Sequence, residues 1–318
     1  MHNALKKMIT KDLIGIKNLS AGDIETYLSA AYEMKALFSK TGKKSELFAG
    51  KNVSTLFFEN STRTRVSFEV AANYLGAHFS AMNASASSVS KGETLIDTGK
   101  NLDALRIDTV IMRHPMAGAA ALLSKNVQAS VINAGDGAAE HPTQALLDFF
   151  TIKEHLGSFK GKRVAICGDI KYSRVARSNI WGLQKLGASV TVCAPFTLLP
   201  CGIENFGVDI ELNPVKAITK ADVIMGLRVQ LERQEKTLPS LAEYAKFFSI
   251  TAERIQAAKA TKAIIMHPGP VNRNVELSSE VIDCSSSTIL PQVTNGVAVR
   301  MAVLNLTNEA KLNKGASK

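Results

Sequence analysis

Phe58-Glu59-Asn60-Ser61-Thr62-Arg63-Thr64-Arg65 sets three hydroxyls and two guanidinium groups side by side. A short apolar run, Val53-Ser-Thr-Leu-Phe-Phe, precedes it, and an amphipathic stretch from Val66 follows and stops at Gly76. A polar turn between a strand and a helix collects the helix's first N–H groups and its positive dipole end, which suits an anion. Ser61 or Thr62 fits the N-cap. The hydroxyls of Ser61, Thr62 and Thr64 add donors, and Arg63 can fork onto phosphate oxygens. The G-x-x-x-x-G-K-S/T spacing of a Walker A loop is absent. The same residues read equally as a capping segment with solvated arginines.

His141-Pro142-Thr143-Gln144 opens a second helical stretch. Pro142 suits the first helical position, which puts His141 at the mouth and Gln144 one turn on, on the same side. Both can donate to one oxygen. The helix dipole disfavours an added proton on His141. A capping histidine beside a surface glutamine is the plainer alternative. Arg113-His114-Pro115 follows the apolar Val110-Ile-Met, where an arginine suits an anion, a carbonyl or a structural salt bridge. Ser87-Ser-Val-Ser-Lys91-Gly92-Glu93-Thr94 reads as an exposed loop whose lysine can reach a phosphate or carboxylate.

Later in the chain, Arg174 follows a strand ending at Asp169, and Arg228-Val-Gln230 follows Val223-Ile-Met-Gly. If extended, Arg228 and Gln230 point the same way. Two arginines at strand ends suggest a dicarboxylate or amino-acid carboxylate, with surface ion pairing as the alternative. Met266-His267-Pro268-Gly269-Pro270 ends a strand in a proline-bracketed turn. Proline removes backbone donors there and leaves carbonyls to accept from an amine.

The elements that must hold these residues alternate between strand and helix. Val53–Phe58, Val110-Ile-Met and Val131-Ile-Asn-Ala-Gly in the first half are short, two-sided apolar runs, as are Arg163–Asp169, Ser189–Ala194, Ala221–Gly226 and Ala263–Met266 in the second. Helical segments separate them. That pattern predicts an α/β protein of two doubly wound parallel-sheet domains, with ligands at the carboxyl ends of the strands. At about 150 residues per domain, 318 residues also predict two. The apolar helical segment Gly296–Leu306 is expected to return to the first domain.

Composition narrows the class. With 46% hydrophobic and 21% charged residues and a mean hydropathy of +0.04, the chain is neither disordered nor fibrous. No apolar run reaches the ~18 residues of a membrane span, and the start lacks the apolar core of a secretory signal, so a cytoplasmic location is expected. Cys167, Cys193, Cys201 and Cys284 form no C-x-x-C pair and are expected to be buried, reduced thiols. The net charge of +10 admits a nucleic-acid partner, but the basic residues are dispersed and no RRM, KH or helix-turn-helix signature appears. It fits equally a cleft that collects small anions. No G-x-G-x-x-G marks a dinucleotide site, no G-x-S-x-G marks a nucleophile elbow, and no Asp/Glu cluster awaits a metal. Neither cofactor nor metal is expected.

Read in chain order, Ser-Thr-Arg-Thr-Arg, Ser-Lys-Gly-Glu-Thr, His-Pro-Thr-Gln, Arg-Val-Gln and His-Pro-Gly-Pro-Val-Asn-Arg resemble the carbamoyltransferase family from about Val53 to Gly296. Within it they resemble the branch that uses aspartate. The ornithine branch is expected to show His-Cys-Leu-Pro at the His267 turn and to lack the lysine loop. The resemblance implies carbamoyl transfer from carbamoyl phosphate to L-aspartate, an early step of pyrimidine biosynthesis. It implies a carbamoyl-phosphate-binding domain over 1–142, completed by the C-terminal helix 293–318, an aspartate-binding domain over 143–292, and an active site in the cleft between them. It assigns Ser61, Thr62, Arg63 and Thr64 to the phosphate, and Arg113, His141 and Gln144 to the carbonyl oxygen. The backbone at Pro268, Gly269 and Pro270 takes the carbamoyl amide, and Arg174, Arg228 and Gln230 take aspartate. Ser87 and Lys91 enter from a neighbouring subunit of a homotrimer, with room for regulatory or dihydroorotase chains in a larger assembly, and no nucleic acid or membrane is involved. The family often carries leucine in place of Gly269; the contact is main-chain, so little effect is expected.

Overall fold

Four strands of the first half pair in parallel: β1 (Asn52–Phe57), β2 (His78–Asn83), β3 (Thr109–His114) and β4 (Ser130–Asp136), in the order β2-β1-β3-β4. The protein is seen as a computed structural model that describes residues 9–39, 45–83, 92–230 and 240–315. Helix α1 (Ala21–Ser39) precedes the sheet, and α2 (Thr62–Tyr74), α3 (Leu95–Ala104) and α4 (Ala119–Ser124) connect its strands. β4 is buried along its whole length, as a parallel strand covered on both faces must be. Leu56, Val110, Met112 and Val131 from the sheet pack with Leu102 and Leu123 from the connecting helices.

The second sheet contains β5 (Arg163–Gly168), β6 (Ser189–Cys193), β7 (Asp209–Glu211), β8 (Val223–Leu227) and β9 (Ile264–Met266), all parallel, in the order β7-β6-β5-β8-β9. Around it come α5 (Pro142–Leu156), α6 (Arg174–Lys185), α7 (Pro214–Ala217), α8 (Leu241–Phe248), α9 (Ala252–Ala257) and α10 (Ser279–Ile282), and α11 (Ile289–Gly315) closes the chain. Two compact units result. One runs to Leu147 and resumes at Thr294; the other is Asp148–Val293, so both divisions fall inside helices, α5 and α11. Returning to the first unit, α11 donates from Arg300 Nη1 to Ser67 Oγ at 3.0 Å and lays that guanidinium 5.1 Å from the centre of the Phe68 ring.

In each sheet the chain lays strands on one side, then crosses to the other. The reversal falls between β1 and β3 in the first unit and between β5 and β8 in the second. Crevices for ligands open at the carboxyl ends of such strand pairs. Gly168 shows how closely the second pair approaches: its φ is +139°, and a Cβ there would stand 2.3 Å from the Leu227 carbonyl oxygen.

The thiols need a correction. Cys167 and Cys193 are buried, but Cys201 is exposed and Cys284 partly so. Cys201 lies in the irregular stretch beyond β6. Among the described residues, no helix is long and apolar enough to cross a membrane.

Candidate active site

All strands of the first sheet run one way, so their carboxyl ends share one edge, and the first group of candidate residues lies along it. Ser61 holds the N-cap position of α2 but makes no side-chain bond to the helix N–H groups. It donates instead to Thr64 Oγ1 at 2.9 Å, which corrects the capping role its sequence suggests: the short side chain turns along the helix toward a better-placed hydroxyl. Thr62, Arg63 and Arg65 are exposed, whereas Thr64 is buried. Ser61, Thr62 and Arg65 line a cavity of about 230 Å³ together with Glu59 and, from β2, Ala81 and Met82.

Arg113, near the end of β3, sets Nε 3.3 Å from Glu59 Oε2 and donates from Nη1 to the Ala134 carbonyl at 3.3 Å. The guanidinium thus ties the ends of three neighbouring strands together. His114 beside it accepts the Met116 N–H on Nδ1 at 3.0 Å and meets the Phe58 ring at 4.5 Å. Burial pushes its imidazole below the usual histidine range.

Beyond β4, Asp136 organises the approach to His141. One carboxylate oxygen accepts the Gly118 N–H at 2.7 Å; the other accepts Asn133 Nδ2 at 3.0 Å and the Glu140 N–H at 3.1 Å. Glu140 in turn accepts the Ile16 and Lys17 N–H groups at 2.6 and 3.1 Å. The next residue is His141, buried, with Pro142 as the first residue of α5 and Gln144 buried in its first turn. The surface-glutamine alternative does not hold.

The second unit repeats the plan. Asp169, fully buried just past β5, accepts the Tyr172 N–H at 3.1 Å and the Gln230 N–H at 3.2 Å, while Gln230 Nε2 donates to the Tyr172 carbonyl at 3.3 Å. This stitches the turn after β5 to the segment after β8. Ser173 caps α6 by accepting the Ala176 N–H, which places Arg174 at the first helical position, buried. Arg228 and Gln230 are half-buried around a buried Val229, the alternation of an extended segment. His267, Gly269 and Pro270 follow β9, next to β8. Gly269 takes a φ of +70°, which glycine adopts without strain.

Ser61–Thr64, Arg113, His141 and Gln144 therefore belong to one edge, and Arg174, Arg228, Gln230, Gly269 and Pro270 to another. Ser87 and Lys91 lie outside the described residues. Nearby Thr94 caps α3, accepting the Asp97 N–H at 3.2 Å and donating to its carboxylate at 2.7 Å. Sequence reasoning missed Glu59, Asp136 and Asp169. Each lies at or just beyond a strand end or turn, and lone carboxylates there are too common to stand out. Among the described residues no cluster of His, Cys, Asp and Glu is arranged to hold a metal. A hydrogen bond with Cys193 and burial push the Cys167 thiol well up, away from the thiolate form a nucleophile uses.

The chain matches two family descriptions: "Aspartate/ornithine carbamoyltransferase, carbamoyl-P binding domain" over residues 11–154, and the "Asp/Orn binding domain" of the same enzymes over 160–307. It belongs to the aspartate/ornithine carbamoyltransferase family. A relative from Ruminiclostridium cellulolyticum, named aspartate carbamoyltransferase catalytic subunit, is 57% identical over 93% of this chain and 95% of its own. Trypanosoma cruzi aspartate transcarbamoylase, crystallised with carbamoyl phosphate and aspartate, superimposes with a TM-score of 0.83 at 34% identity, covering 95% of this chain and 98% of that one. Ornithine carbamoyltransferase from Pyrococcus furiosus reaches 0.81 at 33% identity, covering 93% and 96%. Backbone likeness alone does not separate the two acceptors.

Proposed function

We propose that this chain transfers the carbamoyl group of carbamoyl phosphate to the amino group of L-aspartate, giving N-carbamoyl-L-aspartate and phosphate, in the cytoplasm and early in pyrimidine biosynthesis. Ser61, Thr62, Arg63 and Thr64 hold the phosphate. Arg113, His141 and Gln144 bind the carbonyl oxygen, the main chain at Pro268–Pro270 accepts from the carbamoyl amide, and Arg174, Arg228 and Gln230 hold aspartate. Residues 1–142 with the C-terminal helix make the carbamoyl-phosphate domain, and 143–292 make the aspartate domain. Ser87 and Lys91 come from the neighbouring subunit of a homotrimer. What carries this reading is the first sheet's switch-point edge, where a helix N-terminus with three hydroxyls and two exposed arginines adjoins Arg113.

The chemistry needs no side-chain nucleophile. The aspartate amine attacks the carbonyl carbon, and the carbonyl π-pair moves onto oxygen. It returns as the C–O bond to phosphate breaks, and the departing phosphate takes the amine proton. Preorganised donors at the oxyanion lower the barrier, each contributing about 10²–10³ in turnover. Holding two anions in register supplies much of the remainder. His141 donates a ring N–H to the oxyanion from the mouth of α5.

Incubating the purified protein with carbamoyl phosphate and either aspartate or ornithine, then measuring ureido product, tests the proposal. Product with aspartate alone is expected. Product with ornithine alone would move the chain to the other branch.

A further inference from the structure

The buried polar groups of the second unit that this chemistry leaves unused converge on His267, 2% exposed. Its backbone N–H donates to Gln292 Oε1 at 2.9 Å, Gln292 Nε2 donates to Asp148 Oδ1 at 2.8 Å, and the other Asp148 oxygen accepts Asn179 Nδ2 at 2.8 Å. Nε2 of the ring stands 3.2 Å from Glu276 Oε1, with both side chains fully buried, and that carboxylate oxygen also accepts the Asn272 N–H at 2.8 Å. The ring's remaining nitrogen, Nδ1, accepts the Gly269 N–H at 2.8 Å. A nitrogen that accepts carries no proton, so the neutral ring keeps its proton on Nε2, on the Glu276 side. Gly226 on β8 leaves the ring its space: a Cβ there would lie 3.2 Å from His267 Cδ2.

Burying a histidine and a carboxylate is costly unless both are well bonded, and apolar residues would fill the same volume more cheaply. What the arrangement secures is a direction. In the Pro268-Gly269-Pro270 turn the only main-chain N–H belongs to Gly269, because proline has none. The Pro268–Gly269 peptide is trans and planar, so its carbonyl points opposite to that N–H. Seating the N–H on Nδ1 aims the Pro268 carbonyl away from the ring.

We infer that His267 is a positioning residue for the carbamoyl group: Gln292 fixes its backbone, the Glu276 carboxylate faces the ring at 3.2 Å, the ring fixes the Gly269 N–H, and the Pro268 carbonyl is thereby held to accept from the carbamoyl amide. This rests on the reading that the turn's main chain binds that amide. A methyl group in place of the amide has nothing to donate. Acetyl phosphate, which differs from carbamoyl phosphate in that group alone, therefore isolates the contact.

The test compares the full-length enzyme with His267→Asn, His267→Gln and His267→Leu, measuring KM for carbamoyl phosphate, Ki for acetyl phosphate, kcat and the unfolding midpoint. Asn places an amide oxygen near the position of Nδ1; Gln places it one bond further out, and Leu removes it. Wild type and His267→Asn are expected to prefer carbamoyl over acetyl phosphate by up to about tenfold, as one hydrogen bond allows. His267→Gln and His267→Leu are expected to lose most of that preference and part of kcat, while acetyl phosphate binding stays within about twofold of wild type. A general loosening of the fold would weaken both ligands together. Retained preference in Gln and Leu, or equal loss in Asn, overturns the inference. If the Leu variant does not fold, Asn against Gln decides. A wild type that fails to discriminate removes the amide contact, and the inference with it, while the reaction itself stands on its ureido product.

Discussion

Arg63 and His141 serve the proposed chemistry from opposite environments, and the difference decides how their variants behave. Arg63 is exposed, so Arg63→Ala is expected to keep its unfolding free energy within about 0.5 kcal/mol and to lose about 10²–10³ in turnover. Steady-state kinetics beside urea unfolding checks both halves. His141 is buried, so His141→Ala gives up packing as well, and its turnover must be referred to the folded fraction. Asp136 acts one step back. Its carboxylate takes three donors from three segments, and Asp136→Ala removes this acceptor from all of them, although Asn133 Nδ2 keeps the Ile14 carbonyl at 2.8 Å. Only the Asn133 bond is buried, and losing it costs about 1–3 kcal/mol, while water can reach the Gly118 and Glu140 N–H groups. A lower urea midpoint is expected together with a higher KM for carbamoyl phosphate, as the loop before His141 relaxes. His114 adds a pH dependence. Its folded pKa is depressed by burial, so the unfolded chain binds the proton more readily, and stability falls as pH drops through the window below the ordinary histidine value of ~6.5. Comparing unfolding midpoints across that window with those of His114→Gln, which cannot titrate, is expected to remove this component of the slope.

At the scale of elements, two-sided apolar runs made most of the sheet readable. β1, β3, β4, β5, β6, β8 and β9 each correspond to a run of Val, Ile, Leu, Met or Phe, and the polar residues just beyond them are the site candidates. β2 and β7 were not legible. His78-Phe-Ser-Ala-Met-Asn alternates weakly, and Asp209-Ile-Glu is a three-residue edge strand with an exposed isoleucine. Both lie at a sheet edge and are largely exposed, unlike the buried edge strands β4 and β9, so little hydrophobic signal is written into them. The carboxylates that hold the loops were illegible for another reason. Asp136, Asp169 and Glu276 act on backbone N–H groups, and which N–H groups meet them depends on turns that residue types alone do not specify. Gly168 is the element-scale position where a substitution should reach furthest. A methyl group there faces both an unfavourable φ and the Leu227 carbonyl at 2.3 Å. Backbone strain of about 1–3 kcal/mol adds to a steric push between β5 and β8, the strands from which Arg174 and Arg228 depart. Gly168→Ala is therefore expected to lower the unfolding midpoint and to raise KM for aspartate more than KM for carbamoyl phosphate.

At the scale of the whole molecule, the net charge of +10 does not single out a polymeric partner, because the basic residues are dispersed along the chain. The assembly is the sharper question, since the proposed site borrows Ser87 and Lys91 from a neighbour. Consider a trimer in which every site joins Arg63 of one chain to Lys91 of the next. Arg63→Ala trimers and Lys91→Ala trimers are each inactive. When the two chains assemble at random in equal amounts, most trimers are mixed, and going round the ring each mixed trimer contains one junction with both residues intact. About a quarter of all sites then recover. If each site draws both residues from its own chain, no combination restores one. Co-expressing the two variants and measuring specific activity against wild type separates the cases. Recovery near a quarter is expected; activity no higher than that of either parent would place Lys91 in the same chain's site.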